Sequence, residues 1–252
     1  MHESFCRRAR FCNPGYLIVA MKRIGRILLY FALCALAVSC ANYEYDGPEA
    51  FNDKMEGLFI HYDSQAPYAT AIVTVKKGSD GNSYLWLSEE HKLIPREQIP
   101  FTGQYRAMAG ISESGIPDNN GFRRVTVDWL EPLDEGEVRT GADGGADDGL
   151  DILLDSWITG LEDAYLTIHY NTWWGEHPVH HDFYLVPGED PYSLELRHDA
   201  HGDEKFAMGE GIICFDLNSL PDTGDETRQI SLRWNDVNGN VETASFGFKT
   251  RK

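Results

Sequence analysis

The feature that most constrains this chain is a two-residue alternation of apolar and polar side chains that recurs through its second half. Leu166, Ile168 and Tyr170 share one parity, while Thr167 and His169 take the other. The same pattern returns at Phe183 and Leu185, at Leu194 and Leu196, at Ile213, Phe215 and Leu217, at Ile230, Leu232 and Trp234, and at Ala244, Phe246 and Phe248. Successive strand residues point to opposite faces, so this is the period of a half-buried β-strand, and no helical period competes with it. Val237-Asn238-Gly239-Asn240-Val241 separates the last two runs. Asn-Gly tolerates positive φ at both positions and predicts a two-residue type I′ hairpin there. Some six strands over residues 152–252 predict an antiparallel β-sandwich.

The first half has the same texture in shorter pieces. Residues 69–77 predict a strand, Gly78-Ser79-Asp80-Gly81-Asn82 a turn, and residues 83–87 the returning strand, with further strands at 104–109 and 124–129. Short strands punctuated by turns predict a small barrel over 57–136. A Gly/Asp-rich stretch that includes Asp143-Gly144-Gly145-Ala146-Asp147-Asp148-Gly149 predicts a linker at 137–151. Asp143, Asp147, Asp148 and Asp151 lack the spacing of a calcium loop and read as solvated linker residues. The chain as a whole is therefore all-β.

Ahead of both domains lies a different kind of segment. Met21-Lys22-Arg23-Ile24-Gly25-Arg26 is basic, and residues 27–38 form an uncharged apolar run of 12 residues. A transmembrane helix needs roughly 20 residues, so the run reads as the core of a secretory signal peptide. Its end, Leu36-Ala37-Val38-Ser39-Cys40, resembles the lipobox of bacterial lipoproteins. That resemblance implies cleavage before Cys40, lipid on its thiol, and residues 40–56 as a tether to the membrane. Residues 1–39 are then an upstream extension plus signal peptide, with Met21 as the true start. Two or more acyl chains anchor stably, whereas one anchors weakly.

Removing that leader changes the composition that matters. Cys6, Cys12 and Cys34 leave with it and Cys40 is lipidated, so Cys214 remains alone and reads as a small buried hydrophobe in a domain without a disulfide. The leader holds six basic residues and one acidic residue, so its loss takes the net charge from −18 to about −23. So acidic a surface argues against nucleic acid and anionic lipid headgroups as partners, and leaves an envelope protein or a glycan.

Candidate chemistry centres on two histidine clusters, His177-Pro178-Val179-His180-His181 and His198-Asp199-Ala200-His201-Gly202-Asp203. His177, His180, His198, His201 and Asp203 supply nitrogen and carboxylate donors of the type Zn or Cu takes. Their spacing matches no metal motif, so no metal and no cofactor is assigned. His180 and His181 point to opposite faces of a strand, and His198 continues the inward parity of Leu194 and Leu196, which suits a core-edge histidine bonded to backbone. Trp173 and Trp174 are adjacent, so one of them faces outward as a candidate binding residue. Gly-x-Ser-x-Gly, Gly-x-Gly-x-x-Gly and phosphate-loop motifs are absent, so no catalytic residue is assigned.

The chain resembles the NigD-like lipoproteins. The features that carry the resemblance are the lipobox at Cys40, the strand set at 69–130, and Asp163-Ala164-Tyr165-Leu166-Thr167-Ile168-His169-Tyr170, His181-Asp182-Phe183-Tyr184-Leu185-Val186 and Leu194-Glu195-Leu196-Arg197-His198-Asp199. The resemblance implies an N-terminal OB-like barrel, a C-terminal β-sandwich, an outer-membrane envelope location and an association with bacteriocin operons. It brings no catalytic residues. The expected function is a non-catalytic binding or assembly module. The alternative is a metal-dependent or hydrolytic enzyme built on the His177–His181 and His198–Asp203 clusters.

Overall fold

The computed structural model describes residues 60–62, 68–113, 122–139 and 147–251. Cys40 and the tether lie outside the described residues.

Strands β1 (Ile60–Tyr62), β2 (Ala69–Lys77), β3 (Ser83–Trp86), β4 (Lys92–Pro95), β5 (Tyr105–Glu113) and β6 (Phe122–Pro132) form one sheet in the order β1-β2-β3-β4-β6-β5. A further pairing of β2 with β5 closes five of them into a barrel. Every neighbouring pair is antiparallel except β4 and β6, which run parallel. Closure removes the exposed edges that an open sheet of this size would present. A five-stranded barrel has a narrow interior, and small side chains fill much of it: Ala71, Val73, Ala107, Ala109 and Val125 sit with Leu85, Leu93 and Ile111.

The remaining strands are β7 (Asp134–Glu135), β8 (Glu137–Val138), β9 (Asp151–Ile152), β10 (Gly160–Glu162), β11 (Tyr165–Trp174), β12 (Asp182–Pro187), β13 (Ser193–Asp199), β14 (Ala207–Asp216), β15 (Arg228–Asn235) and β16 (Val241–Phe248). They make two five-stranded sheets. One runs β10-β11-β14-β7, with β9 also on β11, and the other runs β16-β15-β13-β12-β8. Leu166, Ile168, Phe215, Leu185, Leu196, Ile230, Leu232 and Phe248 from the two sheets share one core. The long ladders β11–β14, β12–β13 and β15–β16 are antiparallel, while β13–β15 and the short strands β7 and β8 pair in parallel.

Gly136 lets the chain step from one sheet to the other between β7 and β8. A Cβ there would fall inside the Phe215 ring and 2.7 Å from the Phe183 carbonyl oxygen, so only glycine fits so close a backbone approach. The segment read as linker at 137–151 thus starts inside the sandwich. Its acidic residues are engaged rather than solvated: Asp147 Oδ2 accepts from Asn235 at 2.6 Å, Asp148 Oδ2 from the Ala200 N–H at 2.8 Å, and Asp151 Oδ1 from the Val237 N–H at 3.2 Å. Asp143 lies outside the described residues.

Two turns exchange the roles the sequence suggests. At the β15–β16 connection only Gly239 has positive φ (83°), and its N–H bonds the Asp236 carbonyl. The Asp236 carboxylate captures the N–H groups of Asn238 and Asn240 at 2.8 and 2.7 Å. Asn238 therefore keeps negative φ, and the loop spans 236–240 instead of forming a two-residue type I′ turn. Paired left-handed residues occur instead between β10 and β11, at Asp163 (52°) and Ala164 (57°), the backbone signature of a type I′ turn.

That β10–β11 turn also joins the lobes. Lys76 Nζ of the barrel meets Asp163 Oδ1 at 2.6 Å, and both side chains are nearly buried. Arg106 is 1% exposed and donates to Thr74 Oγ1 at 2.9 Å. Burial pushes its guanidinium down to about 10, opposed by Asp163, so it remains charged at neutral pH.

Candidate functional site

Two polar assemblies stand out, one open on the barrel and one closed in the sandwich.

The open one is a groove of 690 Å³ over the outer face of β3, β4 and β6. Inward parity places Leu85, Leu93 and Val125 in the barrel core. The intervening residues must then face out. Cross-strand register aligns Trp86 with Lys92 and Lys92 with Phe122, so three strands contribute one row. Lys92 Nζ lies 5.0 Å from the Trp86 ring centroid and 5.6 Å from that of Phe122. Tyr84 meets Phe122 edge to face at 6.0 Å, and Lys76 Nζ lies 4.1 Å over Trp86. Ile94 and Arg124 form the next row. The rim comes from the 78–82 turn, where Asp80 accepts from Asn82, and from residues 95–98. Among its described lining residues are the cations Lys77, Lys92, Arg96 and Arg124 against the acids Asp80 and Glu97. That is a local excess of positive charge in a chain of net charge −18. Aromatic faces interleaved with cations can hold flat or apolar ligand surfaces and pair an anion beside them.

The closed assembly lies at the rim of the sandwich. His198, 1% exposed on β13, places Nδ1 2.9 Å from the Gly149 carbonyl and Nε2 2.9 Å from His181 Nδ1. His181 Nε2 reaches Asp203 Oδ2 at 3.2 Å, and that oxygen also accepts from the Gly175 N–H at 3.0 Å. Trp174 stacks on His181 at 4.1 Å and Phe183 on His198 at 4.8 Å. The three contacts along this chain need three hydrogens, and two neutral imidazoles carry two. Burial outweighs Asp203 and Asp148 and lowers the proton affinity of both rings, so the third proton enters only on acidification.

The structure thus joins His198 and Asp203 through His181. His177, His180 and His201 are exposed, with His180 and His201 on Asp182 at 3.3 and 2.9 Å. The five residues singled out as metal candidates do not converge, and among the described residues no group of three or more His, Cys, Asp or Glu is arranged to hold a metal ion. Trp174 is half-buried against the core and its Nε1 donates to the Gly209 carbonyl at 3.3 Å. Trp173 is half-buried as well. Cys214 is buried and unbridged, and burial pushes its thiol up to about 12.

A third arrangement has no counterpart in the sequence reading. Ser156 Oγ lies 2.8 Å from His169 Nδ1, and His169 Nε2 lies 3.1 Å from Glu210 Oε2. The order resembles a nucleophile, base and orienting acid. Here, however, Ser156 Oγ also accepts the Ile158 N–H, and Thr159 Oγ1 accepts the His169 N–H. These bonds fasten residues 153–159 over the sheet. Burial lowers the proton affinity of His169, with Glu210 opposing.

A closed five-stranded barrel with a cationic groove, followed by a β-sandwich whose polar groups bond one another, makes this an all-β protein of barrel and sandwich. Residues 136–248 match the model of the NigD-like C-terminal beta sandwich domain, in line with the resemblance read from the sequence. No curated protein matches the chain. Three solved structures share its fold. A protein from Parabacteroides distasonis described as toxin-related is 24% identical, with a TM-score of 0.58 over 72% of this chain and 93% of its own. A NigD-like immunity protein from Bacteroides caccae is 20% identical, with a TM-score of 0.51 over 75% and 99%. A protein from Bacteroides fragilis described as a lipoprotein is 13% identical, with a TM-score of 0.50 over 73% and 99%.

Proposed function

We propose that this protein is a lipid-anchored, non-catalytic envelope protein that presents its barrel groove to a ligand outside the membrane. The observation that carries the binding reading is the Trp86–Lys92–Phe122 row, a cation between two aromatic rings in an open groove. The anchor rests on Cys40 at the end of a complete signal peptide. Among proteins of the same fold, one is described as a lipoprotein and one as a NigD-like immunity protein, which supports a place in the cell envelope.

Radioactive palmitate labelling in a Gram-negative host tests the anchor. The full chain takes up label and fractionates with the outer membrane, and Cys40→Ala does neither. An unlabelled wild-type chain, or label that persists in Cys40→Ala, overturns the anchor.

A further inference from the structure

The groove discriminates among ligands by how its charge is laid out, which rests on the binding reading above and carries it further. Its cations are spread around the cavity rather than gathered at one point. Lys92 lies in the aromatic row at its centre, Lys77 is exposed at the end of β2, and Arg124 is exposed on the neighbouring β6 row. Between them lie the half-buried rings of Tyr84 and Phe122, whose faces and edges can meet ligand C–H groups, while Trp86 is buried beneath Lys92. Polar rim groups follow on both sides, with Ser79 and Asn82 on one and Gln98 on the other. A groove of 690 Å³ is the size of a small-ligand site yet open at its top, so it suits a segment of a longer chain.

The surrounding field narrows the choice. A nucleic acid strand carries one negative charge about every 3.4 Å. The net charge of −18 opposes any polyanion, and it opposes so densely charged a strand more than one with sparser charge. A carboxylated glycan carries no more than one charge per ring and alternates it with hydroxyls and apolar ring faces. That alternation matches cation, aromatic and polar rim in the groove. A neutral glycan would use the rings but leave the lysines without an anion.

We infer that the groove over β3, β4 and β6 binds an acidic polysaccharide, with sugar faces on Tyr84 and Phe122 and carboxylates on Lys92 and Lys77. The contact is charge-assisted and weakens with salt.

The test uses the full chain purified from detergent-extracted membranes, titrated with polygalacturonate, with neutral dextran and with oligothymidylate. Polygalacturonate binds, dextran binds at least roughly tenfold more weakly, and Lys77→Gln with Lys92→Gln weakens polygalacturonate roughly tenfold. Lys205→Gln, exposed on the sandwich, leaves binding unchanged and controls for total charge. Oligothymidylate bound more tightly than polygalacturonate, and lost in the lysine double variant, overturns the glycan assignment while the groove stands. Polygalacturonate binding that ignores the double variant, or no binding of any probe, overturns the groove itself.

Discussion

The barrel groove and the sandwich rim are built from comparable polar and aromatic side chains, and they differ in what those side chains face. At the rim, His198, His181 and Asp203 bond one another and the backbone, and Trp174 and Phe183 close over the rings. In the groove, Phe122 meets the edge of Tyr84 and the ammonium of Lys92, and all three are only half-buried. The difference teaches where to look for function in this molecule. A histidine cluster turned inward contributes stability and register, because its donors and acceptors are already used. An aromatic–cation row turned outward can still take a partner.

Four measurements break or sharpen that comparison, beginning with the largest effect. His198→Ala leaves a cavity in which His181 Nδ1 loses its partner and the Gly149 carbonyl keeps only Thr172 Oγ1. It should lower unfolding free energy by about 3 kcal/mol in urea titration and leave polygalacturonate binding intact. A loss of binding without a loss of stability would move the functional site to the rim.

Acid should act next. His169, His181 and His198 all have proton affinities lowered chiefly by burial, and His180 also opposes His181 protonation. The unfolded chain therefore binds protons that the folded chain refuses once pH falls below about 6.5. Stability should drop from there until the lowered folded-state values are passed, with a slope of at most about 1.4 kcal/mol per pH unit for each histidine. Thermal unfolding between neutral and mildly acidic pH reads this, and a midpoint that rises on acidification contradicts it.

Ser156→Ala removes one partner each from His169 and the Ile158 N–H. It should cost about 1 kcal/mol and speed amide exchange at Ile158 and Thr159, with exchange in the barrel unchanged. Lys92→Gln should cost less than about 1 kcal/mol of stability while weakening ligand binding, which makes it the sharpest contrast with His198→Ala.

How much of this was legible beforehand depends on the range over which each feature is decided. The strands of the sandwich were legible because alternation is local: Leu166, Ile168 and Tyr170 announce their face without reference to any partner. The Asn238-Gly239 turn was misjudged because Asp236, two residues upstream, competes for the same backbone donors. The His181 link was hidden because its partners lie 17 and 22 residues away, and the His169 set spans 13 and 41. Outward parity at Tyr84 and Trp86 was readable and was the one signal that pointed toward the groove.

By itself, then, the sequence determined an all-β chain and a strong acidic balance. Each of these follows from composition or from spacings of a few residues. Only the tertiary structure decided that β4 runs parallel to β6, which brings Phe122 beside Lys92 from 30 positions further along the sequence, and that β2 closes on β5 to make a barrel. It also turned the histidines inward and left the groove outward. The physical reason is that a strand's period fixes which side chains share a face, while the neighbour that face meets is chosen by long-range pairing and by burial, and neither is written in any short stretch of chain.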